Sequence, residues 1–333
     1  MNNTPTLSEN STIGAWMQHP RGADIITTFG ERAGMGTDAL KMLRNLPLLR
    51  LLEGTGMPDP SDIADNLVAQ LGEQPGGEVE EGWHETVVPE RFAGKTVIVT
   101  GAASGIGRAV ASRIGREGGT VVAVDISEAA LATLVDSLPD ARIRPVTANI
   151  TDETAVDRIM AAAGQRVDGL ANVAGLSDDF SAIHDVSDDM LQRVFDVNVF
   201  GLIRLTRRVV PVMLAANRGS IVNIASEAAL RGSSSGLAYT ASKHAVIGVT
   251  RSMAYMYQPY GIRVNTVAPG GTLTGMRPST TAGLGPERIR SFGAPVPIAL
   301  PENLAAPIAF LLSDDSANIN GALLPSDGGE SVF

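Results

Sequence analysis

Two textures of apolar and polar positions divide the chain. Before about Phe92 the apolar residues recur at helical intervals: Ile13, Trp16 and Met17, then Ile25, Ile26 and Phe29, then Leu40, Leu43 and Leu46. In DPSDIADNLVAQLG, Asp59 suits a cap, Pro60 a first helical turn and Gly72 a helix end, with Ile63, Leu67 and Leu71 as the stripe. The pattern predicts several short helices from about Thr12 to Leu71 that pack on one another, on the main domain or on another subunit. Their apolar surface is small for an independent fold, which favours docking. Glu73 to Gly82 is acidic and rich in Gly and Pro, the composition of a linker. The expected organisation is a helical extension 1–72, a linker 73–91 and a catalytic domain 92–333.

From Lys95 onward short β-branched runs alternate with helical segments. The strand candidates are Thr96 to Thr100, Thr120 to Val124, Arg144 to Ala148, Gly169 to Val173, Ser220 to Ile224, Ile262 to Val267 and Ala322 to Leu324. Continuous apolar runs of this kind predict a parallel sheet covered by helices on both faces. Right-handed crossovers then give an α/β, doubly wound (Rossmann) seven-stranded sheet, with ligands at the carboxyl ends of the strands.

Composition narrows the function. The 333 residues are 44% apolar and 19% charged, as in ordinary globular proteins. A net charge of -10 disfavours nucleic acid and anionic membranes as partners. No cysteine is present, so disulfides, thiolate metal sites and a cysteine nucleophile are all excluded. The amino terminus lacks a basic segment and an apolar run, and no apolar stretch approaches the ~20 residues that span a bilayer. The expectation is a cytoplasmic protein. His19 and His84 are isolated and read as structural or exposed.

Three features carry chemistry. The first strand runs into TGAASGIGRAV, where Gly101, Gly105 and Gly107 permit a tight turn and the following helix offers free N–H groups to a pyrophosphate. Asp125 closes the second strand about 20 residues past the loop, where a carboxylate accepts the ribose hydroxyls of NAD and repels the 2′-phosphate of NADP. Asp125 is equally placed to cap the next helix. Tyr239 and Lys243 stand four apart on one helical face, so the ammonium is expected to favour the phenolate and prepare the tyrosine for acid–base work. Taken alone, that pair also fits two solvated side chains on a helix surface.

The serial order of further motifs resembles the short-chain dehydrogenase/reductase family, from about Phe92 to the C-terminus. TGAASGIG is similar to the glycine motif of its compact oxidoreductase branch, Asn172-Val173-Ala174-Gly175 to its NAG motif, and YTASK to its YxxxK. Ser226 precedes Tyr239 by thirteen residues, as the family's serine does. Asn198 in FDVNVFG resembles the catalytic asparagine, NTVAPG with Thr274 the stretch that holds the carboxamide, and LPSDGG the last strand and turn. Two places depart from the family: Asn149 replaces a usual aspartate, and Gly271 and Thr272 replace bulkier residues.

The resemblance implies a catalytic set of Asn198, Ser226, Tyr239 and Lys243 and no metal. Tyr239 would exchange a proton with the substrate oxygen, Ser226 would hydrogen-bond that oxygen, Lys243 would lower the tyrosine pKa and bind the nicotinamide ribose, and Asn198 would hold a water in a proton relay. The implied NAD-binding set is Gly101, Ser104, Gly105, Ile106, Gly107, Asp125, Asn149, Ile150, Asn172, Ala174, Gly175, Tyr239, Lys243, Pro269, Gly270, Thr272 and Thr274. The substrate is expected to contact Leu176 to Asp189 and a lid from Thr272 to Pro297. There Leu230, Leu237, Met276, Leu284 and Phe292 suggest a moderately hydrophobic secondary alcohol or ketone, while Arg277, Arg288 and Arg290 suggest an anionic one. Helices Met190 to Ala216 and Tyr239 to Tyr257 resemble those that pair subunits, which implies a homo-oligomer, dimer or tetramer. Two other readings stay open: an NAD-sensing regulatory or scaffolding protein, and an NADP-using carbonyl reductase.

Overall fold

A computed structural model describes residues 6–55, 57–72, 83–276, 282–291 and 298–332. The chain forms two compact units: Met1–Thr86 with Gly270–Leu273 and Ala294–Leu300, and Val87–Pro269 with Thr274–Gly293 and Pro301–Phe333.

Among the described residues the first unit contains five helices: α1 (Ile13–Gln18), α2 (Gly22–Arg32), α3 (Thr37–Met42), α4 (Leu48–Thr55) and α5 (Pro60–Leu71). Their apolar stripes close on one another, and Ile13, Trp16, Ile26, Leu40, Leu48, Leu52 and Ala64 are wholly buried in a shared core. Thr12 caps α1, its hydroxyl accepting from the Ala15 N–H at 3.1 Å. His19 is structural: its Nδ1 accepts from the Gly22 N–H at 3.0 Å and so starts α2. His84 is exposed. Pro60 opens α5 and Gly72 closes it at φ 65, as expected. Asp59 does not cap α5 with its side chain; it takes a left-handed backbone, φ 50, which carries the chain into the helix. Two segments from much later in the chain complete this unit. The Leu273 N–H donates to the Ala299 carbonyl at 2.9 Å, and the Ile298 N–H to the Met42 carbonyl at 3.0 Å. Gly54 lies so close to Leu273 that a Cβ would meet its Cδ2 at 2.7 Å. The expected linker Glu73 to Gly82 lies outside the described residues.

The second unit runs β1 (Thr96–Thr100), α6 (Gly105–Arg116), β2 (Thr120–Asp125), α7 (Glu128–Asp136), β3 (Arg142–Thr147), α8 (Glu153–Ala163) and β4 (Gly169–Asn172). It continues with α9 (Asp188–Phe195), α10 (Leu202–Ala216), β5 (Gly219–Ile224), α11 (Leu237–Tyr257), β6 (Ile262–Pro269), α12 (Leu284–Arg290), α13 (Pro301–Leu312) and β7 (Leu323–Ser326). Its seven strands form one parallel sheet in the order β3-β2-β1-β4-β5-β6-β7. This is the doubly wound fold, and its strand order reverses between β1 and β4, the position where such sheets bind ligands. Physical chemistry places the edges. Pro145 and Pro325, which donate no ladder hydrogen bond, stand in β3 and β7, the two outer strands. The inner strands are almost wholly buried.

One local feature departs from the sequence pattern. Met190 to Ala216 does not form a single helix, because a π-helical turn, Asp196–Gly201, separates α9 from α10. Such turns recur at functional sites, and this one carries Asn198. No helix among the described residues is long and apolar enough to cross a membrane.

Candidate active site

The glycine loop links β1 to α6 beside the switch point. Gly101 adopts φ 67, and a Cβ there would press on the Ala174 backbone N at 3.1 Å. Gly105 adopts φ 49 beneath Thr274, whose Cγ2 would stand 3.0 Å from a Cβ. At Gly107 a Cβ would fall 2.0 Å from the Gly101 carbonyl oxygen, which no side chain can occupy. Ser104 precedes α6 without a side-chain cap, so the first-turn N–H groups of Gly105, Ile106 and Gly107 remain for a ligand. A backbone cradle emptied of side chains, under an uncapped helix start, fits a pyrophosphate.

Asp125 at the end of β2 serves this loop directly. Its Oδ2 accepts from the Ala103 N–H at 3.0 Å and its Oδ1 from the Ser127 N–H at 3.1 Å. Each carboxylate oxygen keeps a further lone pair for a ribose hydroxyl. Asn149 is exposed after β3 and accepts from the Thr151 N–H at 3.0 Å, while Ile150 beside it is buried.

Asn172 behaves differently from the rest of its motif. Its amide is buried and donates to Asn223 at 2.9 Å and Thr206 at 3.1 Å, tying β4 to β5 and α10, while its Oδ1 has no partner among the described residues. Ala174 is fixed through its backbone, since the Thr100 hydroxyl accepts from the Val173 and Ala174 N–H groups at 3.0 and 3.1 Å. Gly175 admits the catalytic candidates: a Cβ there would lie 3.2 Å from Asn198 Oδ1 and 3.4 Å from Lys243 Nζ.

Ser226, Tyr239, Lys243 and Asn198 come together around α11. Ser226 follows β5, and its hydroxyl lies near enough to the Tyr239 phenol to favour the phenolate. Lys243 Nζ lies 5.4 Å from the Tyr239 ring centre and donates to the Ile224 carbonyl at 2.9 Å. Lys243 is 3% exposed, so the surface reading of the pair does not hold. Asn198 exchanges two hydrogen bonds with the Leu176 backbone, at 2.8 and 3.0 Å, and donates to the Ser242 hydroxyl at 3.1 Å. The turn after Ser226 is held by Arg231, which binds Glu227 at 2.7 Å and Glu330 near the C-terminus. Burial next to Glu227 raises Glu330 to about 8.

The electrostatics correct the expected low-pKa tyrosine. Removal from water pushes Tyr239 up to about 12, and the Asp178 charge adds to the rise against the opposing effect of the Ser226 hydroxyl. Burial lowers Lys243 to about 8. Lys243 is buried and Tyr239 half-buried, and that burial outweighs their mutual attraction, so each is driven towards its neutral form.

The remaining candidates are distributed as the units dictate. Pro269 ends β6 in the second unit. Gly270 and Thr272 belong to the first unit, where Thr272 pairs with Ala299 and its hydroxyl donates to the Gly270 carbonyl at 3.0 Å. Of the expected lid, residues 277–281 and 292–297, with Arg277 and Phe292, lie outside the described residues, and α12 forms between them. The sequence missed Asp178. It is 2% exposed, and the Tyr239 N–H donates to it at 2.8 Å. The signal was indirect: Gly236, which precedes α11, has no side chain with which to cap it.

Comparison with known proteins matches this geometry. The short chain dehydrogenase family profile covers residues 95–284. The short chain dehydrogenase adrF of Penicillium roqueforti is 37% identical over 255 residues, spanning 71% of this chain and 97% of that protein. Levodione reductase of Leifsonia aquatica is 34% identical over 256 residues, 73% of this chain and 96% of that one. The 3β-hydroxysteroid dehydrogenase 2 of Eggerthella lenta is 36% identical over 253 residues, with the same shares. Among solved structures, levodione reductase superposes with a TM-score of 0.65 at 31% identity, covering 72% of this chain and 99% of its own. A Beutenbergia cavernae protein, provisionally assigned as an NAD(P)-dependent gluconate 5-dehydrogenase with bound NADP at low occupancy, gives 0.64 at 34%, covering 74% and 100%. The chain therefore belongs to the short-chain dehydrogenase/reductase family and is an oxidoreductase that takes a nicotinamide cofactor.

Proposed function

We propose that the chain is an NAD-dependent dehydrogenase/ketone reductase acting on a moderately hydrophobic secondary alcohol or ketone. The observation that carries this reading is Lys243, buried with its Nζ 5.4 Å from the Tyr239 ring centre, beside a Tyr239 phenol whose anion the Ser226 hydroxyl favours. The nicotinamide supplies or accepts the hydride. Tyr239, held neutral by burial, donates its proton to a carbonyl oxygen at neutral pH, and Ser226 hydrogen-bonds the same oxygen as charge develops. Lys243 holds the nicotinamide ribose, and Asn198 anchors the chain at Leu176 beside it. Asp125 supports NAD over NADP, since its free lone pairs suit ribose hydroxyls and its charge opposes a 2′-phosphate. Relatives named as a levodione reductase and a 3β-hydroxysteroid dehydrogenase support a substrate with a carbonyl or hydroxyl carbon. The exposed Met276 and Leu284 support an apolar one.

Turnover of an alcohol and ketone panel with NAD and with NADP tests this. Activity with NAD on apolar ketones, lost in Tyr239→Phe with NAD binding kept, is the expected result. Turnover confined to carboxylated or phosphorylated compounds overturns the substrate class, preference for NADP overturns the cofactor, and NAD binding without any turnover favours a sensor. We also propose a homotetramer and a functional division at 1–72, 73–91 and 92–333. Phe200, Tyr255 and Met256, exposed on or beside α10 and α11, support the assembly. Its test is mass in solution with these residues replaced by Ser, and an unchanged oligomer rejects that surface.

A further inference from the structure

Asp178 lies just past the NAG-like turn and is almost wholly buried. Among the described residues no cation is ion-paired with it. Four donors hold it instead: the N–H groups of Phe180 (3.2 Å), Gly236 (3.2 Å) and Tyr239 (2.8 Å) and the Ser235 hydroxyl (3.1 Å). Three of these belong to the start of α11, which has no side-chain cap of its own. A buried carboxylate is costly to keep charged unless hydrogen bonds and a favourable dipole compensate it, and the positive end of α11 provides both.

The loop around it is built for close contact. Phe180 adopts φ 66, and the Leu237 N–H donates to the Ser181 carbonyl at 3.1 Å. A Cβ on Gly236 would fall 2.6 Å from both Asp178 Oδ2 and Phe180 Cα. On the other side, a Cβ on Gly285 of α12 would fall 2.1 Å from the Phe180 carbonyl oxygen. The loop is therefore wedged between the helix that carries Tyr239 and the helix of the substrate segment.

We propose that Asp178 is a positioning residue: by fixing the first turn of α11 against the loop 178–182, it sets where the Tyr239 phenol stands relative to Ser226 and couples that position to the seating of α12. The proposal rests on the reading of Tyr239 as the proton donor. Asp178 also lies close enough for its charge to oppose formation of the phenolate. The elements packed on α11 bring other charges, Asp188, Asp189 and Arg193 on α9, Asp196 and Glu227, and α11 itself carries Lys243, His244 and Arg251; of the carboxylates among them and Asp178, the Asp178 charge is the one that raises Tyr239.

The test compares Asp178→Ala and Asp178→Asn with the wild type, in full-length enzyme, for kcat, KM, NAD affinity and pH profile. Asp178→Ala is expected to lower kcat ~10–100-fold, the scale of a misplaced catalytic group, with NAD affinity within twofold. Asp178→Asn keeps one acceptor and the shape. It is expected to recover most of kcat while the basic limb of the oxidation profile moves to lower pH. Wild-type kcat and an unmoved limb in both variants overturn the proposal, as does loss of NAD affinity in proportion to kcat. Should Asp178→Ala not fold, the limb in Asp178→Asn decides alone. Tyr239→Phe measured in parallel separates the two readings: its full activity sinks the role of Tyr239 itself, whereas its inactivity beside unaffected Asp178 variants sinks only the positioning role.

Discussion

The sharpest consequence of the buried site concerns Lys243 and stability. Its ammonium is 3% exposed, and burial lowers it to about 8 from an ordinary 10.5. In the unfolded chain it keeps its proton up to 10.5. Between about 8 and 10.5 the unfolded state therefore binds more protons than the folded one, and stability rises with pH at ~1.4 kcal/mol per pH unit. Tyr239 acts in the opposite sense, because its folded value of about 12 exceeds the ordinary 10, so its share is intact below 10 and is lost from 10 to 12. The clean window is pH 8 to 10, over which Lys243 contributes a gain of about 2–3 kcal/mol. Urea midpoints of cofactor-free wild type and Lys243→Met, read by circular dichroism at half-unit steps, measure it. The difference between the two curves should slope upward by that amount, since other titrating groups are common to both. Parallel curves would refute the argument, because they would mean that Lys243 titrates alike folded and unfolded.

Further tests follow from the same geometry. Oxidation of an alcohol requires the Tyr239 phenolate, so its kcat/KM should climb with pH beyond 9, while ketone reduction stays level at neutral pH; oxidation that peaks near 7 argues against the raised tyrosine. Gly107→Ala should weaken NAD binding at least ~10-fold and destabilise the fold by ~1–3 kcal/mol, since its Cβ meets backbone rather than a yielding side chain; titration calorimetry and urea midpoints check both. Asp125→Ala should narrow the NAD-to-NADP preference at least ~10-fold, the scale of a lost charge-assisted hydrogen bond, and an unchanged ratio in Kd for the two cofactors rejects its discriminating role.

Much of the fold was legible because its signals are local. Each of the seven strands begins and ends within about two residues of its apolar run, and the glycine loop, Ser226, Tyr239 and Lys243 stand at spacings that short segments fix. What escaped depends on distant partners. The Asp178 carboxylate reaches Tyr239 across 61 residues of sequence, so no local pattern announces it. The π-helical turn at Asn198 is invisible to a periodicity count, since its apolar positions continue those of the helices around it. The tyrosine pKa was misjudged because the i,i+4 spacing shows a cation but not the burial that outweighs it. Asn172 shows a related limit: the motif was recognised, yet its amide serves the sheet.

The helical first unit ends on a question of timing. A chain leaving the ribosome presents α1 to α5 long before Gly270–Leu273 and Ile298–Leu300, the segments that complete their unit. Domains ordinarily fold in the order of synthesis. Here helices made before the sheet are among the last pieces to be completed, and a nascent chain that ends before about residue 300 carries them without their closing segments. Trp16, buried in that core, makes the interval observable as the delay between emergence of the helices and protection of its indole.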